Sequence, residues 1–331
     1  MNQTIMLTGG LGYIGSHIAC DLLLKGFIVI IIDNLKNSSI DMIDIIQNET
    51  NTISNLFFYH IDLTTDIIKL EQIFKIHNIH VVIHLAGLKS VGESTEYPLL
   101  YYETNMLSTI NLLKIMEKYN CFNLVFSSSS TVYGNALAPY TEETKTGVGI
   151  TNAYGRSKYF QEELLMDVYN SNKLWNIVIL RYFNPISQRS SSMRENPFIP
   201  NNLFPYLVKV HKGELKQLKV FGNDWNTPDG TCIRDFIHVV DLAEAHVVVS
   251  SNLIEKKISS LKIYNVGTGL GISVQQLLDT FERINKTKLN YEYTEKRNGD
   301  LERSYGDVSL IKKEIGWKTK YNIEDMVNLD Y

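Results

Sequence analysis

The sequence predicts an α/β protein built on a doubly wound parallel sheet, and three observations carry that expectation. Short apolar runs alternate with amphipathic helical stretches, a glycine-rich turn joins the first run to the first helical stretch, and an acid closes the second run. Such alternation places helices on both sheet faces and ligands beyond the C-terminal strand ends.

The first element is the apolar run Ile5-Met6-Leu7, followed by Thr8-Gly9-Gly10-Leu11-Gly12-Tyr13-Ile14-Gly15-Ser16-His17. Gly9 permits the tight turn, Gly12 lets backbone amides approach a pyrophosphate, and Gly15 lets the helix pack close to the strand. The spacing is G-x-x-G-x-x-G, so the general G-x-G-x-x-G fingerprint is met only loosely. A second sign follows in Phe27-Ile28-Val29-Ile30-Ile31-Ile32-Asp33, whose apolar run suits a strand buried on both faces. Asp33 stands where an acid accepts hydrogen bonds from an adenosine ribose and repels a 2′-phosphate, which favours NAD over NADP.

Gln3–Leu7, Ile28–Ile32, Leu56–His60, His80–Leu85, Asn123–Phe126 and Asn176–Arg181 are the expected strands. Glu96–Lys118 and Ala153–Asn170 are the most prominent helical stretches. After Arg181-Tyr182-Phe183-Asn184-Pro185 the character changes. A polar loop, Ser187–Ser192 with Arg189 and Arg194, leads into Asn196-Pro197-Phe198-Ile199-Pro200-Asn201-Asn202. We expect a Rossmann-type domain over residues 1–185 and a smaller C-terminal α/β substrate lobe over 186–331, with roughly 236–267 returning to the sheet.

A chain of 331 residues with net charge −4 can bury a large core and has no basic excess for nucleic acid. No apolar run is long enough to span a bilayer, and no charged segment precedes an early apolar stretch as a signal peptide requires. Cys20, Cys121 and Cys232 form an odd, scattered set that fits reduced thiols in the cytoplasm. His77, His80 and His84 straddle a helix end and a strand, share no face and have no carboxylate or cysteine to complete a shell, so no metal is expected.

Chemistry is concentrated in Asn152-Ala153-Tyr154-Gly155-Arg156-Ser157-Lys158. On a helix, Tyr154 and Lys158 lie on one face, and a fixed cation beside a phenol favours the phenolate. Such a tyrosine can take a proton from an alcohol. Taken alone, the pair is also what a surface tyrosine beside a solvated lysine looks like.

The ordered set of motifs settles the comparison. Thr8–His17, Ala86–Ser94, Phe126–Gly134, Tyr154–Lys158, Arg181–Pro185, Ile199–Leu203, Phe221–Asp224 and Arg234–Ala243 run nearly end to end. Together they resemble the extended short-chain dehydrogenases/reductases, and specifically the UDP-glucose (UDP-galactose) 4-epimerases. The resemblance implies an isomerase that inverts C4 of a UDP-hexose through a transient 4-keto sugar. Tyr154 takes the proton of the 4-hydroxyl while C4 gives its hydride to NAD. The keto sugar turns over, the hydride returns to the opposite face of C4, and the proton returns to the oxygen.

By the same resemblance, Lys158 lowers the Tyr154 pKa and holds the nicotinamide ribose, and Ser129 hydrogen-bonds the reacting oxygen. NAD contacts would come from Gly9, Gly12, Tyr13, Ile14 and Gly15 at the pyrophosphate. Asp33, Asn34, Leu35, Lys36, Asn37 and Ser38 would surround the adenosine ribose, with Asp62 and Leu63 at the adenine. Leu85, Ala86, Gly87, Leu88, Lys89 and Asn105 would follow, and Phe183 would lie near the nicotinamide. On the sugar side, Asn184, Asn202 and Leu203 would meet the substrate, and Lys219, Val220 and Phe221 the uracil. Arg234 and Arg297 would take the diphosphate, since each guanidinium offers a planar fork of donors, and Asp300 would hold the uridine ribose. As an alternative, Arg234-Asp235 would be a structural ion pair.

Two details refine the expectation. Related 4,6-dehydratases resemble Asp-Glu before the Val-Tyr-Gly, whereas Ser130-Thr131 precede Val132-Tyr133-Gly134 here, which disfavours elimination. Ser304 stands where the family carries a gate, and a small residue there implies room for the N-acetyl group of UDP-GlcNAc and UDP-GalNAc. Three departures stand beside these. Ala153 replaces a proline common before the tyrosine, the Ser187–Arg194 loop lacks the family's usual glycine and histidine, and the chain stops at Tyr331, short of a tryptophan-containing tail. The family also implies a homodimer through Glu96–Lys118 and Ala153–Asn170. Two alternatives stay open, an epimerase for another UDP-sugar and a catalytically silent NAD-binding regulator on the same fold.

Overall fold

The computed structural model describes residues 3–193, 195, 202–297 and 299–329. Arg194 and the run from Asn196 through Asn201 lie outside these. The first part of the chain runs β1 (Thr4–Thr8), α1 (Tyr13–Leu24), β2 (Ile28–Asp33), α2 (Met42–Thr50), β3 (Leu56–His60), α3 (Ile67–Ile76) and β4 (Val81–His84). It continues through α4 (Val91–Glu96), α5 (Pro98–Lys118), β5 (Asn123–Ser129), α6 (Ala153–Ser171) and β6 (Asn176–Tyr182). The second part comprises β7 (Asn184–Ile186), α7 (Leu203–His211), β8 (Leu218–Phe221), β9 (Ile233–Arg234), β10 (Phe236–His238), α8 (Val239–Ile254) and β11 (Leu261–Val266). It closes with β12 (Ile272–Ser273), α9 (Val274–Ile284), β13 (Tyr291–Thr294), β14 (Arg303–Ser304), α10 (Ser309–Ile315) and α11 (Ile323–Val327).

Among the described residues the main sheet has seven strands in the order β11-β6-β5-β4-β1-β2-β3, and every pairing in it is parallel. The expected doubly wound α/β sheet is therefore present. Strand order reverses direction between β1 and β4, where Thr8 lies opposite His84. A crevice opens beyond such a switch point.

Both sheet faces are covered, which is why the strands read as continuous apolar runs. Ile5, Leu7, Val29, Ile31, Val81, Ile83 and Val125 point to one layer with Ile18, Leu22, Leu242 and Val249 of α1 and α8. Met6, Ile30, Ile32, Val82, Leu124, Phe126 and Ile177 point to the other with Leu70, Leu112 and Leu165 of α3, α5 and α6. Each such side chain contributes roughly 1.5–3 kcal/mol by leaving water. A third cluster joins Ile186, Phe204, Leu207, Val220, Phe236, Leu277 and Phe281, all beyond residue 185.

A late strand joins the sheet at its β6 edge. β11 pairs with β6 from Leu261 opposite Ile177 to Val266 opposite Tyr182. The expected Glu96–Lys118 helix is present as α5, which starts at Pro98 and follows the separate short helix α4, because a proline lacks the N–H a continuous helix needs there but suits the first turn of a new one. β5 extends past the expected Phe126 to Ser129, carrying the serines into the sheet. Among the described residues no helix is long and apolar enough to cross a membrane.

Four core imidazoles make stability depend on pH. Burial holds His17 and His84 at about 3 and His238 and His246 at about 4. Their folded values lie below the ordinary 6.5, so acid binds the unfolded chain first and stability falls from about pH 6.5 downward. Asp235 and Asp241, pushed up to about 6 by burial, act in the opposite sense as pH falls through 6. Four imidazoles outweigh two carboxylates, so the urea midpoint should fall as pH is taken from about 7 to about 5. A flat or rising midpoint would contradict this balance.

Candidate active site

The parallel sheet delivers the predicted cofactor residues to one edge. Gly9 follows β1 with φ +69°, a left-handed conformation that glycine adopts without strain. Gly12 caps α1 without a side chain, so the first amides of that helix have no side-chain acceptor. Orphan donors at a helix N-terminus suit a pyrophosphate. Tyr13, Ile14 and Gly15 form the first turn of α1. Its Gly15 lies so close to the preceding loop that a Cβ would stand 2.5 Å from the Gly9 oxygen and 2.7 Å from Gly10 Cα.

Asp33 is buried at the end of β2, where its carboxylate accepts Leu11 N (3.1 Å), Leu35 N (2.9 Å) and Ser38 Oγ (2.9 Å). It thereby ties the glycine turn to the Asn34–Ser38 loop, in which Lys36 and Asn37 flank the turn. Asp62 follows β3 and accepts from Asn34 Nδ2 (2.8 Å) and Thr64, while Asp66 caps α3. Leu85 to Lys89 follow β4. Leu88 and Leu63 are buried, and their backbones meet the side chains of Asn105 and Asn111. Asn105 of α5 is fully buried, accepting Leu88 N at 2.8 Å and donating to Ser157 Oγ at 2.9 Å. Glycine turn, uncapped helix end and ribose-side acid together fit a dinucleotide.

Tyr154 and Lys158 project from the first turns of α6. The helix begins at Ala153 without a proline, and Asn152 secures its start by accepting Gly155 N at 2.8 Å. An asparagine cap is worth about 1 kcal/mol, which makes the absent proline tolerable.

The expected lowering of the Tyr154 pKa by Lys158 is not what the structure holds. Burial raises the phenol above its usual 10, opposed by a hydrogen bond with Ser129. Lys158 is turned instead to the Ser127 carbonyl at 2.7 Å and lies over the Phe126 ring at 4.8 Å. Its ammonium is nearly fully buried and is pulled down to about 8, chiefly by desolvation. Removing a phenolate from water costs more than the Ser129 hydrogen bond returns.

The substrate-side candidates gather from the second part. Along β8, Lys219 is exposed, Val220 is buried in the lobe core and Phe221 is partly open, so a uracil contact from Val220 reduces to its backbone. Arg297 stacks on the Phe221 ring at 4.5 Å and holds Asp300 by two bonds, 2.9 and 3.2 Å. Arg234 donates to the Ile233 and Leu301 carbonyls at 2.9 and 2.8 Å. The carboxylate of Asp235 faces Thr268 and Gly269 instead of its neighbouring arginine, which removes the structural ion-pair reading. Asn184 opens β7, Asn202 caps α7 ahead of Leu203, and Phe183 is buried with Tyr140 and Tyr133. On β14, the Ser304 hydroxyl meets the Tyr140 phenol.

Several residues of this edge escaped the sequence analysis. Glu195 is buried, forms an ion pair with Lys89 at 2.6 Å and accepts from Asn202, joining the two halves. Glu162 and Arg181 form a buried ion pair beneath Tyr154 and Lys158. Tyr182 donates to His246, whose other nitrogen meets the Leu242 carbonyl. Glu162 carried one signal, its position one turn beyond Lys158. Glu195 carried none, because its ion-pair partner Lys89 is 106 positions away.

A strand order with its crevice at β1/β4, and a Ser–Tyr–Lys set at the same edge, define a short-chain dehydrogenase/reductase-type enzyme. The chain matches the family model described as GDP-mannose 4,6 dehydratase over residues 6–329 and belongs to that class. It is 43% identical over 329 residues to UDP-glucose 4-epimerase of Dictyostelium discoideum, covering 98% of this chain and 94% of the relative. The crystal structure of UDP-glucose 4-epimerase from Bifidobacterium longum in complex with NAD+ and UDP matches with a TM-score of 0.91 at 44% identity, covering 98% of this chain and 96% of that one. UDP-glucose 4-epimerase from Stenotrophomonas maltophila, with bound NAD and formylated UDP-arabinopyranose, matches with a TM-score of 0.94 at 38% identity, covering 98% and 96%. Within the class, the chain belongs to the UDP-glucose 4-epimerase family.

Gly15→Ala tests the close approach in the first turn. The added methyl meets backbone, which cannot swing aside, so a loss of about 1–3 kcal/mol in unfolding free energy is expected. Denaturation with wild-type stability would show that the turn has room to give.

Proposed function

We propose that the protein interconverts UDP-glucose and UDP-galactose by inversion at C4, using NAD held at the C-terminal edge of the sheet. The observation that carries this reading is placement: Tyr154, Ser129 and Lys158 stand on the same edge as the uncapped start of α1 and the Asp33 loop. NAD bound there supplies a reversible hydride acceptor at C4. Tyr154 takes the 4-hydroxyl proton, Ser129 orients the reacting oxygen, and Lys158 offers its ammonium to the nicotinamide ribose. After the 4-keto sugar turns over, C4 takes the hydride back on its opposite face and Tyr154 returns the proton to the C4 oxygen, so no net redox change results.

Arg234 and Arg297 offer guanidinium donors to the diphosphate, and Asp300 is released to the uridine ribose when Arg297 turns to the anion. Phe221 provides a flat surface for the uracil, with Lys219 beside it. Asn184, Asn202 and Leu203 line the sugar end, and Phe183 the nicotinamide end. The division of labour follows: residues 1–185 hold the cofactor and 186–331 the nucleotide-sugar, with about 236–267 completing the sheet. Exposed Tyr97, Leu99, Leu107 and Phe160 on and beside α5 and α6 support a homodimer through these helices. Three free, buried cysteines support a cytoplasmic setting.

A second reading concerns breadth. Ser304 is small and already turned to Tyr140, which favours a pocket that also accepts UDP-GlcNAc and UDP-GalNAc.

Tyr154→Phe should abolish epimerisation of UDP-galactose, a loss of at least about 100-fold for a missing general base, while bound NAD is retained. Full activity in that variant would sink the assignment. For breadth, Ser304→Tyr should depress turnover of UDP-GalNAc roughly tenfold or more beyond its effect on UDP-galactose. Equal losses on both sugars would remove the gate.

A further inference from the structure

Beneath the reacting face of α6 lies a buried polar cluster that the chemistry above does not use. Tyr154, Lys158 and Glu162 succeed one another at intervals of four and so share one helix face. Glu162 and Arg181 are 1% and 3% exposed. Arg181 grips the carboxylate through Nη2 at 2.7 Å and Nε at 3.1 Å, and Ser128 Oγ also donates to it. The remaining arginine nitrogen donates to Tyr133 Oη at 3.0 Å and to the Glu142 carbonyl at 3.2 Å.

Stability alone is a weak reason for such a pair, since replacing a buried ion pair with well-packed apolar side chains is often neutral or favourable. Its attachments point elsewhere. Ser128 adjoins Ser129 on β5, and Arg181 lies two residues before Phe183 on β6 and its extension. Glu162 is also the neighbour that opposes desolvation of Lys158.

The other groups around Lys158 carry no negative charge. From β5 come the Ser127 carbonyl and the Phe126 ring. From β4 comes His84, kept neutral by burial and by Lys158 itself. Tyr154 on the same helix and Tyr182 on β6 are phenols that burial keeps protonated. Arg181 is a like charge beyond the carboxylate.

We propose that Glu162 is a positioning residue of this site: its carboxylate keeps Lys158 charged within the buried helix face and fixes the strand ends that carry Ser129 and Phe183. The inference rests on the epimerase reading above. Glu162 touches no reacting atom and works through Lys158 and Ser128.

The test is the pH profile of kcat/KM for UDP-galactose, measured on the NAD-containing enzyme. Loss of the Lys158 charge sets the alkaline limb. Glu162→Gln should move that limb down by about one pH unit, the size of effect a nearby opposite charge exerts, and Glu162→Asp should restore it toward its original position. Should Arg181, left unpaired, prevent Glu162→Gln from folding, Glu162→Gln/Arg181→Gln is read against Arg181→Gln, so that the difference between their limbs reports the carboxylate alone. An unmoved limb in Glu162→Gln against the unaltered enzyme, or in the double variant against Arg181→Gln, with NAD retained, overturns the inference while leaving the epimerase intact. Absence of turnover by the unaltered enzyme overturns the epimerase reading and this inference with it.

Discussion

Parallel pairing of β1 with β4, Thr8 opposite His84, is the interaction on which the rest of the site depends. The chain's direction of winding reverses there, so the glycine turn after β1 and the Leu85–Lys89 segment after β4 diverge and leave a crevice. The same two residues start a buried hydrogen-bond chain. Thr8 Oγ1 meets His84 Nδ1 at 2.7 Å, His84 Nε2 meets Thr109 Oγ1 at 2.9 Å, and Gln161 donates to Thr109 at 2.6 Å. Gln161 belongs to α6, so the chain fixes the helix of Tyr154 and Lys158 relative to the cofactor turn. A neutral imidazole with both nitrogens engaged is suited to this, because a charged one would face a buried ammonium at Lys158.

Burial moves the two key groups in opposite directions. The Tyr154 phenol is raised and the Lys158 ammonium is lowered, because each neutral form is the one the low-dielectric edge prefers. A free phenol and a free amine titrate near 10 and 10.4. Pulling the amine to about 8 leaves it charged at neutral pH with little to spare.

Much of this arrangement was legible in the sequence, for identifiable reasons. Period-two burial on a two-sided sheet yields unbroken runs such as Ile28–Ile32, which mark strands without ambiguity. Tyr154 and Lys158 were legible because their relation is local, four residues on one helix. The separate short helix α4 before Pro98 and the extension of β5 to Ser129 were not anticipated. The first is ended by Tyr97-Pro98, and the second rests on serines that carry no apolar signal, although Ser127 and Ser128 are buried in the strand ladder. Glu195 with Lys89, and Tyr182 with His246, are pairings across 106 and 64 positions. No local spacing encodes such contacts. The Tyr154 pKa was misjudged because spacing reveals a neighbouring charge but not the depth of burial that competes with it.

The family model and the site also bear on each other. Its description names a 4,6-dehydratase, a reaction that must remove water across neighbouring carbons after the same C4 oxidation. In this chain the turn after β5, Ser130–Tyr133, is a short 3₁₀ helix, with Ser129 Oγ accepting Thr131 N at 3.3 Å. Its two leading side chains are hydroxyls, which at neutral pH are too weak as acids and too weak as bases for elimination. The framework that oxidises C4 is thus shared across the class, and Ser130 and Thr131 offer neither acid nor base for elimination at that turn. With no group there to withdraw a proton or expel water, the remaining path for the keto sugar is reduction. If it has turned over, that reduction inverts C4.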